Sequence, residues 1–392
     1  MGDAIGRRLL RPGVVAVVAV ALVGFATHAW LTGRGLGVDS SIYRAGALTY
    51  LRGQPLYAPL TTGEPWAPAL PFTYPPIAAI LFTPLTLVPA QLGWALLAGL
   101  SLASLAVLLL VSLPRGTAAW QVALVAAVAV VLEPVWRSLA LGQVNLPLAA
   151  LVAVDVLVLR GRPAAGVLTG VAAAVKLTPL IFVAHLALTR RWADAGRALA
   201  TFAGLNLLAA LALPGDTWSF WTDALVDGND ATTNSWIGNQ SVNGLLQRLT
   251  GEGGPALPVW LAVSAVVLAL AAAAVRVLER GGDALGALLV TAFAGLLVSP
   301  VSWTHHWVWL VPLAGWLVRR GHPLLLAPLA ALFTGWEYAL TPSGAKVELT
   351  WHGWQLLLGN AYVLIGLALV PAVATLVLCR RSRRGEVGAD TG

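Results

Sequence analysis

Asp39 opens the sequence Asp39-Ser40-Ser41-Ile42-Tyr43, just beyond the first long apolar run. A carboxylate at an apolar boundary can have its pKa raised toward the working pH, which suits a general base. The same position suits a helix N-cap, because Asp is a favoured cap and Ile42, Ala45, Leu48 and Leu51 follow at helical spacing. The two readings are compatible, since a cap also fixes the direction of its side chain. Lys176 lies inside the apolar run Gly166 to Leu188. An intramembrane lysine is costly and is a functional candidate by default, here as a cation for a phosphate group. The alternatives are that it snorkels to an interface or pairs with a buried acid such as Asp155.

Other polar groups fall at similar boundaries. Gln143 and Asn145 in Gly142-Gln143-Val144-Asn145 must bond to something if they are buried; bonds between helices and bonds to sugar hydroxyls are both open. Tyr74-Pro75-Pro76 opens an apolar run, where a tyrosine is ordinary for an aromatic belt. The stretch from Asn234 to Arg248 reads NSWIGNQSVNGLLQR. Trp236, Asn239 and Asn243 there resemble a carbohydrate-contacting surface, although loop polarity alone would also explain the amides. Arg248 is the lone cation of that stretch and a candidate partner for a phosphate. The strongest local pattern is Ser299-Pro300-Val301-Ser302-Trp303-Thr304-His305-His306-Trp307. A metal site is not expected there, because adjacent helical residues point about 100° apart and no third and fourth ligand stands nearby in sequence. A phosphate or sugar contact by one histidine, with Trp303 beside it, fits better.

These groups need a scaffold, and the composition says which. Of 392 residues, 58% are hydrophobic and 10% charged, against about 25% charged in a soluble domain. Apolar runs long enough for a crossing of about 20 residues recur along the chain. In lipid these must be helices, so an all-α, polytopic transmembrane bundle of about twelve spans is expected. The net charge of +7 does not point to nucleic acid, because the basic residues sit in short clusters between apolar runs. Only Lys176 and Lys346 are lysines among the 24 basic residues, and Cys379 is the single cysteine.

The clusters Arg7/Arg8/Arg11, Arg190/Arg191/Arg197, Arg276/Arg280, Arg319/Arg320 and Arg380/Arg381/Arg383/Arg384 are cytoplasmic if the positive-inside rule holds. Both termini then lie inside, with a basic tail at 380–392. The first outer loop is 33–73, with a short interfacial helix after the first span, and a large outer loop is 214–255. One domain, 1–392, is expected, in the plasma membrane. Between Pro75 and Thr189, spans at about 75–90, 92–113, 117–132, 145–160 and 164–188 put Arg160 and Arg162 outside, against the rule. Glu133 to Asn145 is also a candidate to dip into the membrane.

In order, Asp39 with Tyr43, Arg52-Gly53-Gln54-Pro55-Leu56-Tyr57, Phe72-Thr73-Tyr74-Pro75-Pro76, Gly142-Gln143-Val144-Asn145, Lys176-Leu177-Thr178-Pro179, Asn239-Gln240-Ser241 and Ser302-Trp303-Thr304-His305-His306 resemble the polyprenol-phosphate-mannose-dependent alpha-1,2-mannosyltransferases. That family is glycosyltransferase family 87 of the GT-C superfamily. The resemblance implies a GT-C-like fold with its active site at the outer leaflet. It implies a polyprenyl-phosphate-mannose donor and a glycolipid acceptor such as a phosphatidylinositol mannoside. It implies inversion, with Asp39 as the single base and His305, His306, Lys176 and Arg248 at the leaving phosphate. Tyr43, Tyr74, Gln143, Asn145, Trp236, Asn239, Asn243 and Trp303 are candidate substrate contacts. No cofactor or metal and no nucleic acid is implied. Two rivals stand beside this reading: a GT-C transferase for lipid-linked arabinofuranose or glucose, and a transporter or flippase of a lipid-linked sugar. The second predicts an internal repeat, which the sequence does not display.

Overall fold

The computed structural model describes residues 12–114, 116–225, 234–251, 254 and 257–370. The basic tail, Cys379, Asp227, Asp230 and Glu252 lie outside them. Among the described residues there is no β-strand; an isolated bridge pairs Asn239 with Trp303. The chain is an all-α polytopic membrane protein. Its helices are α1 (Pro12–Leu31), α2 (Val38–Leu51), α3 (Pro76–Leu81), α4 (Ala90–Ser112), α5 (Ala119–Val131), α6 (Glu133–Leu141) and α7 (Asn145–Ala153). Then follow α8 (Val167–Val175), α9 (Ile181–Leu188), α10 (Trp192–Ala212), α11 (Val242–Thr250), α12 (Leu257–Arg280), α13 (Ala284–Val298) and α14 (Leu310–Arg319). Four helices are long and apolar enough to cross a membrane alone: α4, α10, α12 and Pro323–Leu340. Others are shorter or broken, and the breaks decide the topology.

Two of the expected spans are broken into short helices. In the stretch 75–90, α3 is followed by a 3-10 turn at Thr83–Leu87. Pro75, Pro84 and Pro89 stop a longer helix, since proline lacks an N–H and clashes with the preceding turn. Both ends of this stretch stay beside the first loop: Tyr57 donates to the Tyr74 carbonyl, and Arg44 Nε donates to the Val88 carbonyl at 3.0 Å. The stretch 164–188 breaks at Lys176, whose backbone is extended (φ −149°, ψ 132°). Arg191 donates to the Val156 carbonyl at 2.8 Å, and Arg197 donates to the Ala165 carbonyl. The chain therefore enters through α8, turns at Lys176 and returns through α9 to the face it left. Pro179 supplies the reason, because it has no N–H to bond the Val175 carbonyl and its ring crowds the turn before it.

This removes the conflict over Arg160 and Arg162. Arg160 pairs with Glu279 at the end of α12, so it shares a face with Arg276, Arg280 and the Arg190 cluster. Arg320 pairs with Asp283 on that same face. Arg160 therefore lies on the same side as the other basic clusters, not opposite them. The span count of twelve is not confirmed, and every described arginine cluster falls on one face.

Between α5 and α6 the chain bends by 61°. Pro134 stands in the first turn of α6, and α6 runs across the opposite, loop-bearing face. Helix α2 is more embedded than an interfacial helix: Ile42, Tyr43, Ala45, Ala47 and Thr49 are all buried, and only its end emerges at Leu51. Tyr43 stacks on Phe82 with ring centroids 4.6 Å apart. α4 braces the site from behind: Trp94 Nε1 donates to the Leu139 carbonyl at 2.8 Å, and Ser101 donates to the Gln143 carbonyl.

Candidate functional site

Asp39 is in the first turn of α2 but does not cap it. Gly37, at φ 69°, is the cap, and no side chain bonds to the helix end. The carboxylate reaches instead across the fold, where Gln143 Nε2 donates to Asp39 Oδ2 at 2.6 Å. Gln143 arrives there because Gly142 takes a left-handed conformation (φ 69°) against Ser40 and Trp94; a Cβ at Gly142 would lie 2.7 Å from Ser40 Cβ. Only glycine satisfies both the dihedral and the approach. Burial raises the Asp39 pKa above its ordinary value, opposed by the Gln143 hydrogen bond and then by the charges of Lys176 and Arg137. The carboxylate is therefore a better base than a solvated one and still sits among cations.

Behind Gln143 lie two buried phenols. Tyr43 donates to Gln143 Oε1 at 2.8 Å, and the Tyr43 and Tyr74 hydroxyls are 2.8 Å apart. Tyr43 and Tyr74 are expected substrate contacts, but the structure buries both and uses them to hold Gln143. Gln143 and Asn145 are buried in turn. Asn145 accepts from Lys176 Nζ at 3.0 Å and donates to the His305 carbonyl at 3.0 Å. These four side chains are tied into the network around Asp39 and Lys176, and Asn145 also lines the cavity beside His306.

Lys176 Nζ lies 3.0 Å from His306 Nε2. An ammonium can only donate, so Nε2 accepts and the ring proton sits on Nδ1. Burial, and then the charge of Lys176, push the pKa of both His305 and His306 well below the ordinary value, leaving neutral rings. His305 Nε2 is buried with no hydrogen-bond partner. A small, mostly apolar cavity opens beside His306 and Asn145, lined by Leu148, Phe182, Leu296 and Trp309.

Three expected contacts are elsewhere. Arg248 is buried and gives its donors to Asn360 Oδ1 and to the carbonyls of Ser235, Trp236 and Asn239. A guanidinium so engaged has no donor left for a phosphate, so Arg248 is corrected to a loop clamp. Asn239 donates to the Asn234 and Pro300 carbonyls and accepts from Ser302 N. Asn243 donates to the Pro300 carbonyl at 3.0 Å. Both asparagines pin the 234–248 segment to the 299–304 segment, and neither faces the cleft. Trp236 and Trp303 are half-buried, with ring centroids 5.3 Å apart. Sequence reasoning missed Arg137 on α6. Its guanidinium pairs with Glu133 at 3.3 Å and acts electrostatically on both Asp39 and His305. A signal existed in the polar face of the short helix preceding Gly142-Gln143.

The fold and site together define a polytopic membrane protein with a half-buried carboxylate near two cations and two neutral histidines. The sequence matches the family model described as glycosyltransferase family 87 over residues 72–300, and this chain belongs to that family. It is similar to "Polyprenol-phosphate-mannose-dependent alpha-(1-2)-phosphatidylinositol mannoside mannosyltransferase" of Mycobacterium tuberculosis (strain ATCC 25618 / H37Rv), at 33% identity over 97% of this chain and 94% of the relative. A protein of the same name from Mycolicibacterium smegmatis is 32% identical over 93% of this chain and 90% of its own length. A relative from Mycobacterium tuberculosis (strain CDC 1551 / Oshkosh), "Polyprenol-phosphate-mannose-dependent alpha-(1-2)-phosphatidylinositol pentamannoside mannosyltransferase", is 36% identical over 92% of this chain and 85% of its length. No solved structure matches the chain.

Proposed function

We propose that this glycosyltransferase moves mannose from a polyprenyl-phosphate-mannose donor to a hydroxyl of a phosphatidylinositol mannoside, forming an alpha-1,2 linkage with inversion. The observation that carries the mechanism is the Asp39 carboxylate, half-buried and fixed by Gln143 between Lys176 and Arg137. Asp39 takes the proton of the acceptor hydroxyl as its oxygen attacks the anomeric carbon. The bond from that carbon to the phosphate oxygen breaks, and the polyprenyl phosphate leaves with the electron pair. Lys176 and the neutral His305 and His306 meet the charge that develops on the phosphate, His305 through its otherwise unpartnered Nε2. Donors aimed at developing charge are commonly the largest single contribution to a rate. The names of the relatives support mannose over arabinofuranose or glucose, and transfer over transport.

The test is transfer by the purified protein in lipid vesicles, with a radiolabelled polyprenyl-phosphate sugar. Mannosylated phosphatidylinositol mannoside is the expected product. Turnover of an arabinofuranose donor instead would favour the rival transferase, and movement of the donor without turnover would favour a transporter.

The proposed setting is the plasma membrane, with the arginine face in the cytoplasm and the Asp39 cleft outside. Cysteines replacing the exposed Thr61, Arg162 and Arg190 in a Cys379→Ser background separate the topologies. Only position 61 should react with an impermeant reagent from outside. Labelling at 162 without labelling at 190 would restore a crossing at 164–188.

A further inference from the structure

Arg137 has surroundings that the base and the donor phosphate do not explain. Its guanidinium lies 4.7 Å from the ring centroid of Tyr338 and 5.8 Å from that of Trp236. Trp236 packs edge-on against Trp303, with 6.1 Å between the centroids of Trp236 and Tyr338. The Tyr338 hydroxyl is 3.1 Å from Thr304 Oγ1, and Thr304 donates to Glu133 at 2.7 Å, so Arg137 and Tyr338 hang on one buried network. Four separate segments thus deliver three half-buried aromatic rings and one cation to a single wall of the cleft. Aromatic faces beside a few convergent polar groups are a recurrent form of ligand site.

The wall has a direction. Lys176 contacts Asn145, His306 and the Tyr74 ring, next to the apolar cavity. Arg137 contacts Glu133, Tyr338 and Trp236 on the loop-bearing side. The Asp39 carboxylate lies within the field of both cations. In an inverting displacement the nucleophile enters opposite the leaving group. With the phosphate at Lys176 and His306, the acceptor enters from the Arg137 side.

Resting on the mannosyl-transfer reading, we infer that Arg137, Trp236, Trp303 and Tyr338 form an acceptor subsite for the sugar ring next to the one that is glycosylated. The C–H face of that ring lies on Trp236 and Tyr338, and Arg137 donates to its hydroxyls. The wall then selects acceptors by length and leaves donor binding alone.

The experiment compares octyl α-mannoside with the corresponding octyl dimannoside as acceptors in vesicles, with polyprenyl-phosphate-mannose as donor. For Arg137→Lys and Tyr338→Ala, kcat/KM for the dimannoside should fall about 10-fold further than for the monomannoside, as expected for one good charged hydrogen bond or its equivalent. Donor KM should hold. Tyr338→Phe should retain the wild-type preference, because the ring remains. Arg137→Lys keeps a cation beside the buried Glu133, so the variant has reason to fold. Equal losses on both acceptors, or a raised donor KM, overturn the inference while leaving the transfer reading in place. A wild-type protein that mannosylates neither acceptor overturns the transfer reading and this inference with it.

Discussion

Two polar regions of this molecule look alike in sequence and behave differently in the fold. Around Arg248, amides and tryptophans meet a buried guanidinium whose donors are spent on Asn360 and three carbonyls. Around Asp39, a half-buried carboxylate is held mainly by Gln143, and His305 Nε2 has no partner at all. Both regions bury charge, yet every donor of the Arg248 guanidinium is spent while His305 Nε2 is left unpaired. Unsatisfied buried groups are costly and call for an explanation; a substrate supplies one. The saturated cluster holds the 234–248 segment, the 299–304 segment and Asn360 in place, and that in turn sets where Trp236 and Trp303 stand.

The largest difference between the regions should appear at Asp39. Asp39→Asn preserves size and can still bond to Gln143, so folding should survive. Removing the base should lower turnover by about 10²–10⁴-fold, measured with donor and acceptor saturating and with the melting curve unchanged. Wild-type turnover would place the cleft in the same structural category as the Arg248 cluster and send the search for a base to Glu64.

Next come the phosphate contacts. On the proposed mechanism, His305→Ala, His306→Ala and Lys176→Ala each remove a donor to the leaving group. One charge-assisted bond is worth about 1.5–3 kcal/mol, so losses of roughly 10- to 150-fold in kcat/KM are expected. Kinetics unchanged in all three variants would mean that the phosphate is held at the Arg137 end.

Arg248→Ala reverses the pattern. It leaves Asn360 Oδ1 and several carbonyls unpaired, at a cost of about 3 kcal/mol or more. The midpoint of thermal unfolding in detergent should fall clearly, while the turnover of the protein that remains folded stays within about threefold of wild type, well short of the loss expected for a lost donor at the reacting centre. A stable variant with a large kinetic defect would return Arg248 to the reacting centre.

Much of this contrast could be read before any coordinates. Asp39, Lys176, His305 and His306 stood out because each is costly at an apolar boundary, and the fold brings all four into one cleft. Satisfaction was invisible: no sequence feature distinguishes the spent donors of Arg248 from the free nitrogen of His305. The break at Lys176 had a cue in Thr178-Pro179, but apolar length dominates a hydropathy reading, so 164–188 was expected to cross. Arg137 carried the weakest cue, since one arginine on a nine-residue helix resembles any solvated face. Its role depends on Tyr338, two hundred residues away in sequence and brought near by the fold.

The smallest effect is also the most specific. Gln143 donates to Asp39 Oδ2 and so favours the ionised form, opposing the burial that raises the pKa. A base works only when ionised, so kcat/KM falls as pH drops through the Asp39 pKa, and the wild-type acid limb should lie above the ordinary range for aspartate. Gln143→Ala removes the opposing bond, and the pKa must rise further. The acid limb should therefore move to higher pH. Tyr43 also loses its acceptor, so the plateau at high pH will drop as the carboxylate loosens. That drop alone would follow from any damage to the site. The shift of the limb would not, because it requires the titrating group to be the one Gln143 touches. A lowered plateau with the limb unmoved would make Gln143 a support for the loop at 139–145, and the base would have to be sought in another carboxylate of the cleft.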